Sequence, residues 1–271
     1  MQVESVMQRA QSSISLENVS LAFPGRPGDA EQRWAVRGIQ FEIPEGQFCS
    51  IVGPSGCGKS TLLSVIAGLL QPTGGGAFVN GQAVQGIDPR IGYMFQKDTL
   101  VPWRTALENV LMPLEIAGRP DRAVAASLLA KVGLAGFERH YPRELSGGMR
   151  KRVQLARLLA QTPKTLLLDE PFGALDAQTK LIIHEEFLRI WEKSRQTVLF
   201  VTHDLAEAIL LSDRILLVSP APGRIQATYD VPIPRPRNVD SVMESPVFRQ
   251  LFREIWTALR EGQADKTVMT S

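Results

Sequence analysis

The chain has little of what stabilises or equips many proteins through covalent or metal chemistry. It has two cysteines in 271 residues, Cys49 and Cys57. Neither their number nor their spacing makes a disulfide framework or a thiolate metal site, so a reducing compartment is the default. Long apolar runs are missing too. The best candidates, Leu62 to Leu70 and Ile215 to Val218, fall far short of the ~20 residues a bilayer-crossing helix needs. The opening residues Met1-Gln2-Val3-Glu4-Ser5 show no basic region followed by an apolar core, so no secretory signal is expected. Neither sign of charge is in excess. The 30 Lys and Arg against 28 Asp and Glu leave a formal net charge of +2, too small to argue for nucleic acid as a partner. What remains is ordinary globular composition, 44% apolar and 21% charged, enough for a sizeable core in one large domain or two small ones.

Against these absences stands Gly53-Pro54-Ser55-Gly56-Cys57-Gly58-Lys59-Ser60, which fits G-x-x-x-x-G-K-[ST]. Glycines let a backbone fold tightly around an anion, with N–H groups pointing inward. The apolar residues Phe48, Ile51 and Val52 before the loop read as a buried strand. Leu62 to Ala67 after it reads as a helix, whose N-terminus turns its positive dipole end to the phosphates. Lys59 supplies a point charge for the β- and γ-phosphates; Ser60, followed by Thr61, offers a hydroxyl ligand for Mg²⁺. A glycine-rich turn that matches by chance is the plain alternative, and the strand-loop-helix context argues against it.

The rest of the chain alternates strands and helices. Residues 1–13 are polar and expected to fray. Strands are predicted at Ile14 to Phe23, Val36 to Ile43, Ile91 to Phe95, Thr165 to Leu168, Thr197 to Val201 and Ile215 to Val218. Ala77-Phe78-Val79 followed by Asn80-Gly81 predicts a hairpin. Helices dominate Thr105 to Leu159, broken at Gly118-Arg119-Pro120 and at His140-Tyr141-Pro142, and another covers Lys180 to Lys193. Short buried strands alternating with helices imply a mostly parallel sheet covered on both faces, into which the helical stretch is inserted. A last helix carries Val247, Leu251, Ile255 and Leu259 at a spacing of four, with Phe248, Phe252 and Trp256 beside them. Packing on its own domain is the plainer reading of that face and an interaction surface the alternative.

Two further stretches carry chemistry. Thr165-Leu166-Leu167-Leu168 ends in Asp169-Glu170. Asp169 is placed to hold Mg²⁺, and Glu170 to orient or deprotonate an attacking water. Leu145-Ser146-Gly147-Gly148-Met149 opens a basic helix, Arg150-Lys151-Arg152-Val153-Gln154-Leu155-Ala156-Arg157. A serine and two glycines at a helix start form a second anion site. One nucleotide does not need two cradles from the same chain, so the second makes sense if it covers a nucleotide held by another copy.

Together these stretches resemble the ATP-binding subunits of ABC transporters, from about Ile14 to about Pro234, with every element of the family's pattern in order. Gln96, in Tyr93-Met94-Phe95-Gln96, matches the glutamine that senses Mg²⁺ and the attacking water. Ser146, Gly147 and Gly148 match the signature motif, and Asp169 and Glu170 the metal-binding acid and the catalytic base. Ala174-Leu175-Asp176 matches the loop that communicates across the dimer, and His203, in Val201-Thr202-His203-Asp204, the switch histidine at the γ-phosphate. Phe23 falls where the family stacks an aromatic on adenine, with Trp34 nearby. Met149 stands where many members have glutamine; that position is not a phosphate ligand, and activity is expected to survive the change. His140 and His184 match nothing.

The resemblance implies a P-loop NTPase fold: a RecA-like, mostly parallel sheet core with an antiparallel β subdomain and an inserted α-helical subdomain. The expected layout is a nucleotide-binding domain over 14–237, the helical insert at about 97–163 and a C-terminal helical tail over 238–271. The resemblance also implies ATP and Mg²⁺ as cofactors and a head-to-tail dimer of two copies. Further implied partners are transmembrane permease subunits and, indirectly, a periplasmic or lipid-anchored solute-binding protein. The place implied is the cytoplasmic face of the bacterial inner membrane. Asp98 to Val110, the phosphate loop and the Met149 variant are similar to importers of nitrate, sulfonates and taurine, and no long C-terminal regulatory domain is visible. The groove near Gln96 to Asn109 is the implied dock for a permease helix, with core packing as the alternative for Val101, Trp103 and Leu107. A non-transport ATPase of the same superfamily and a kinase or other transferase using the same loop remain as competing functions.

Overall fold

A computed structural model describes residues 12–25, 32–173 and 175–268. Along the chain run β1 (Ser12–Phe23), β2 (Arg33–Pro44), β3 (Phe48–Val52), α1 (Lys59–Ile66), β4 (Gly74–Val79), β5 (Gln82–Ala83), β6 (Ile91–Met94), α2 (Ala106–Ile116), α3 (Arg122–Lys131) and α4 (Gly147–Ala160). There follow β7 (Thr165–Asp169), α5 (Ala177–Ser194), β8 (Thr197–Thr202), α6 (Leu205–Leu211), β9 (Arg214–Val218), β10 (Ile225–Asp230), α7 (Val239–Glu244) and α8 (Pro246–Val268). The expected frayed segment 1–13 lies, up to residue 11, outside the described residues, and β1 begins at Ser12.

The chain divides into two compact units. The first takes the described residues up to Asp88 and from Arg195 onward. It holds an antiparallel sheet in the order β2-β1-β4-β5. Apolar residues of β1 anchor this sheet: Ile14, Leu16, Val19 and Leu21 are all buried, and a register shift between Leu16 and Val19 resets the alternation. Asn80 and Gly81, both at positive φ, turn β4 into β5. The same unit holds β3 between β8 and β9, parallel to both, with β10 antiparallel on β9. Strands β3 and β8 are buried at every residue, as strands in a covered parallel sheet must be. Helix α6 packs on β3 and on α8.

Two of these elements went unpredicted. Strand β10 alternates half-buried and exposed residues, because it is an edge with one solvated face, and Gln226, Thr228 and Asp230 dilute its apolar signal. Helix α6 is short, buried along nearly its whole length, and capped by Asp204, so no amphipathic period marks it. Strand β4 begins at Gly74, three residues ahead of the Ala77-Phe78-Val79 stretch from which the hairpin is predicted.

The second unit, Pro89–Ser194, contains α2, α3 and α4, packed on one another, together with β6, β7 and α5. It therefore reaches beyond the helical insert expected at 97–163. Side-chain caps set the helix starts: Thr105 and Glu108 form a capping box on α2, Asp121 caps α3 and Ser146 caps α4. Strand β6 pairs in parallel with β7, Met94 lying opposite Leu168.

Candidate functional site

The phosphate-loop stretch follows the carboxyl end of β3. In the same unit Val52 pairs with Thr202 of β8, so Gly53 and His203 leave neighbouring parallel strands at the same edge, where ligands bind in sheets of this kind. Gly58 sits at φ 95° at the start of α1, and a Cβ there would lie 2.6 Å from Val36 and 2.7 Å from the Ala35 carbonyl, so glycine alone fits. Gly53 is equally confined, since a Cβ would come within 2.6 Å of the Val218 carbonyl. Ser55 and Gly56 face solvent and Pro54 and Thr61 are half-buried. The loop is thus pinned at both ends and open in the middle.

Lys59 is 7% exposed. Its Nζ donates to the carbonyls of Gly53 at 2.7 Å and Pro54 at 2.9 Å and lies 3.9 Å from Cys57 Sγ. Among the described residues no carboxylate pairs with it. A buried ammonium held only by neutral acceptors is electrostatically incomplete, and the first turn of α1 adds no acidic residue. The loop therefore fits a group carrying negative charge. Burial pushes the Cys57 thiol up, and the nearby Lys59 offsets that only in part; the thiol is an inert wall of the loop. Cys49, in β3, is pushed up to about 12 by burial.

In the second unit β6 and β7 also end at one edge. Asp169, the last residue of β7, is buried. Glu170 follows at φ 44°, a left-handed conformation that costs a non-glycine residue about 1–3 kcal/mol and is held by its surroundings. Phe172 anchors the turn, edge-on to His184 and Phe187, so His184 serves packing. Gln96 Nε2 donates to Glu170 Oε2 at 2.9 Å. Two residues proposed from distant motifs are therefore in direct contact. Carboxylate, amide and hydroxyl oxygens of the Asp169, Gln96 and Ser60 type are the hard donors Mg²⁺ takes. Among the described residues no group of three or more His, Cys, Asp or Glu side chains could hold a metal ion.

Ser146 caps α4, its Oγ accepting from the Met149 N–H at 3.2 Å. Because the donor is backbone, the Met149 side chain takes no part in the cap. Ser146 and Gly147 are exposed, Gly148 half-buried. The face of α4 behind this start was read only as basic; the structure shows a clamp. Lys151 Nζ donates to the carbonyls of Phe95 at 3.2 Å and Gln96 at 2.6 Å. Arg150 Nε meets Asp98 Oδ2 at 2.7 Å, Gln154 donates to Asp98 Oδ1 at 2.8 Å, and Arg157 holds Thr99. Burial lowers the Lys151 pKa, while Asp98 and Asp169 work the other way. Residues 150, 151, 154 and 157 share one helix face; that spacing of polar residues was the signal available in the sequence.

Asn109, fully buried, was also missed. Its Oδ1 accepts from the Val101 N–H, and its Nδ2 donates to the carbonyls of Val101, Arg104 and Thr105. This ties down the turn from which Trp103 projects, 77% exposed. His203 is exposed, between Thr202, which accepts from the Asp204 N–H at 3.0 Å, and the Asp204 cap of α6. Phe23 ends β1 and is partly exposed, opposite Arg33; Trp34 lies under Arg37 instead. Ala174 lies outside the described residues. Asp176 accepts from the Thr179 N–H at the start of α5.

A family profile described as ABC transporter matches residues 36–173. An uncharacterized ABC transporter ATP-binding protein of Methanocaldococcus jannaschii is 44% identical over 237 residues, 86% of this chain and 88% of that protein. An aliphatic sulfonates import ATP-binding protein of Bacillus cereus is 41% identical over 86% of this chain and 92% of its own. A nitrate import ATP-binding protein of Synechococcus elongatus is 41% identical over 81% and 82%. Among solved structures, a dimeric ATP-binding cassette in a post-hydrolysis state, bound to ADP and Pi, matches with a TM-score of 0.72 at 34% identity, over 80% of this chain and 98% of that one.

Proposed function

The chain belongs to the ABC transporter family as an ATP-binding subunit and an ATPase, and from that premise we propose that it powers import of a small anion of the sulfonate or nitrate kind through a partner permease. The buried Lys59 ammonium, held in its loop by neutral acceptors alone, carries the nucleotide part of this reading. The names of two relatives support the cargo class.

In this reading Gly53, Pro54, Ser55, Gly56, Cys57, Gly58, Lys59, Ser60 and Thr61 wrap the triphosphate, and Phe23 stacks on the base. Ser60, Asp169 and Gln96 hold Mg²⁺, which when bound neutralises phosphate charge. Glu170 orients and deprotonates the attacking water, and the Gln96 amide holds its carboxylate toward that task. His203 contacts the terminal phosphate. Ser146, Gly147 and Gly148 act on the nucleotide of a second copy, so that two copies close head to tail over two ATP molecules. Positioning and electrostatics supply most of such catalysis.

Among the described residues no helix is long and apolar enough to cross a membrane; in this reading the membrane step belongs to the partner permease, and the chain works beside it at the cytoplasmic face. In the second unit Trp103, Phe95 and Ile116 are exposed apolar side chains, the latter two lining a cavity of about 250 Å³ with Met112, Arg157 and Leu158. That patch supports docking of a permease segment there.

Glu170→Gln tests the mechanism. It should bind ATP like the parent, elute as a dimer in ATP, and turn over about 10²–10⁴-fold more slowly. Hydrolysis at the parent rate would remove Glu170 from the role of base. Stimulation of ATP hydrolysis by a co-expressed permease separates a transport motor from a soluble ATPase of the same family.

A further inference from the structure

Helix α8 has a face that the nucleotide chemistry does not use. Its buried side, Phe248, Leu251 and Ile255, packs within the first unit, against α6 and α7, as its period predicted. One flank of the remaining surface is acidic. Glu254 and Glu261 lie near Tyr229 of β10 and, together with burial, raise its phenol pKa. On the same side Gln226 of β10 donates to the Ala258 carbonyl.

The other flank is of a different kind. Arg249, Phe252, Arg253, Trp256 and Arg260 fall at i, i+3, i+4, i+7 and i+11, an arc of about 100° running about 16 Å along the helix. All five are exposed, Trp256 at 51% and Phe252 at 38%. The two rings stack at 6.4 Å and 16°, which holds them as one flat edge. Among the described residues none of the three arginines pairs with a carboxylate. The three arginines thus lie on one flank and Glu254 and Glu261 on the flank nearer β10, with Glu254 bordering the same pocket as Arg249 and Arg253.

We propose that this stripe of Arg249, Arg253 and Arg260 with Phe252 and Trp256 is a contact for an anionic phospholipid surface. Guanidinium forks match phosphodiester oxygens in two-point fashion. An indole prefers the boundary where one edge is apolar and the other wet. A stripe on a helix lying along a plane presents all five side chains at once; Arg249 and Arg253 also line an open pocket with Pro246, Gln250 and Glu254. Its length spans several headgroups. A failed test on lipid alone leaves the ATPase reading standing.

The test is flotation of the whole chain with vesicles of phosphatidylcholine, with and without phosphatidylglycerol. The parent should float with the anionic vesicles, release as salt rises, and stay behind with the neutral ones. Arg249→Gln, Arg253→Gln and Arg260→Gln combined should cut partition about a hundredfold, at about fivefold per arginine near an acidic leaflet. Trp256→Ala should weaken binding by a smaller factor that salt does not erase. Because these side chains are exposed, ATP hydrolysis in solution and the melting temperature serve as folding controls and should not move. Equal flotation with neutral vesicles, no flotation of the parent, or parent-like binding by the triple variant would overturn the proposal. Retention on an acidic polypeptide or on DNA without flotation would assign the stripe to that partner instead.

Discussion

Two helices in this chain begin at sites suited to an anion, and they are built differently. Helix α1 starts at Gly58 with no side-chain cap, behind a loop that folds over a buried lysine. The Lys59 ammonium rests on two loop carbonyls and is available to a ligand's charge. Helix α4 starts at Ser146, whose hydroxyl already caps it, and its start is exposed. Its nearby cations are committed elsewhere, Arg150 to Asp98 and the Leu145 carbonyl, and Lys151 to the carbonyls of Phe95 and Gln96. The first site can enclose a phosphate by itself. The second offers a dipole end, a hydroxyl and little else, and it needs a second surface to make a pocket. That asymmetry is what a nucleotide shared between two copies requires.

Breaking the two sites should have different signatures. The largest effect is expected for Lys59→Ala, which removes the cation from the enclosed site: nucleotide affinity in the isolated chain should collapse and turnover fall about 10²–10³-fold. Fluorescent-nucleotide titration checks it, and retained affinity would mean the loop does not carry the phosphate. Ser146→Arg should spare that titration yet lower turnover about tenfold or more by blocking the docking surface. It should also abolish the ATP-dependent dimer seen by size exclusion; loss of affinity in the monomer would erase the distinction drawn above. The smallest effect is expected for Asp98→Ala, which loosens the grip of α4 on the Gln96 segment. Its ion pair with Arg150 is half-exposed and contributes little, so loss of the part-buried bond from Gln154 dominates at about 1 kcal/mol. That corresponds to about 2–4 °C in melting temperature. Turnover should fall severalfold with nucleotide affinity unchanged, and a parent-like rate would show that the clamp is merely structural.

The sequence was legible where local chemistry is decisive. The loop from Gly53 to Ser60, the strand ending in Asp169, and the helix start at Ser146 are each specified within a few residues, because turn geometry, capping and strand burial are short-range. Legibility failed where a residue's part depends on a distant neighbour. Lys151 reads as a solvated charge until its bonds to residues 95 and 96 are seen. Asn109 looks like an ordinary helix residue, yet it organises the Trp103 turn with four hydrogen bonds. The apolar face of α8 lay in plain sight as a four-residue period, but which of the aromatics beside it were buried was open: Phe248 went inside and Trp256 outside.

By itself, then, the sequence determined the α/β class, the order of the motifs and the kinds of atoms that meet a phosphate, since these follow from residue type and near-neighbour spacing. Only the tertiary structure decided that Gln96 reaches Glu170, that Glu170 takes a left-handed turn, and that the cations of α4 have the Asp98 carboxylate beside them while Lys59 of α1 has only loop carbonyls. Those outcomes depend on which side chains are buried together, and burial sets the electrostatic value of a charge far more than its place in the chain does.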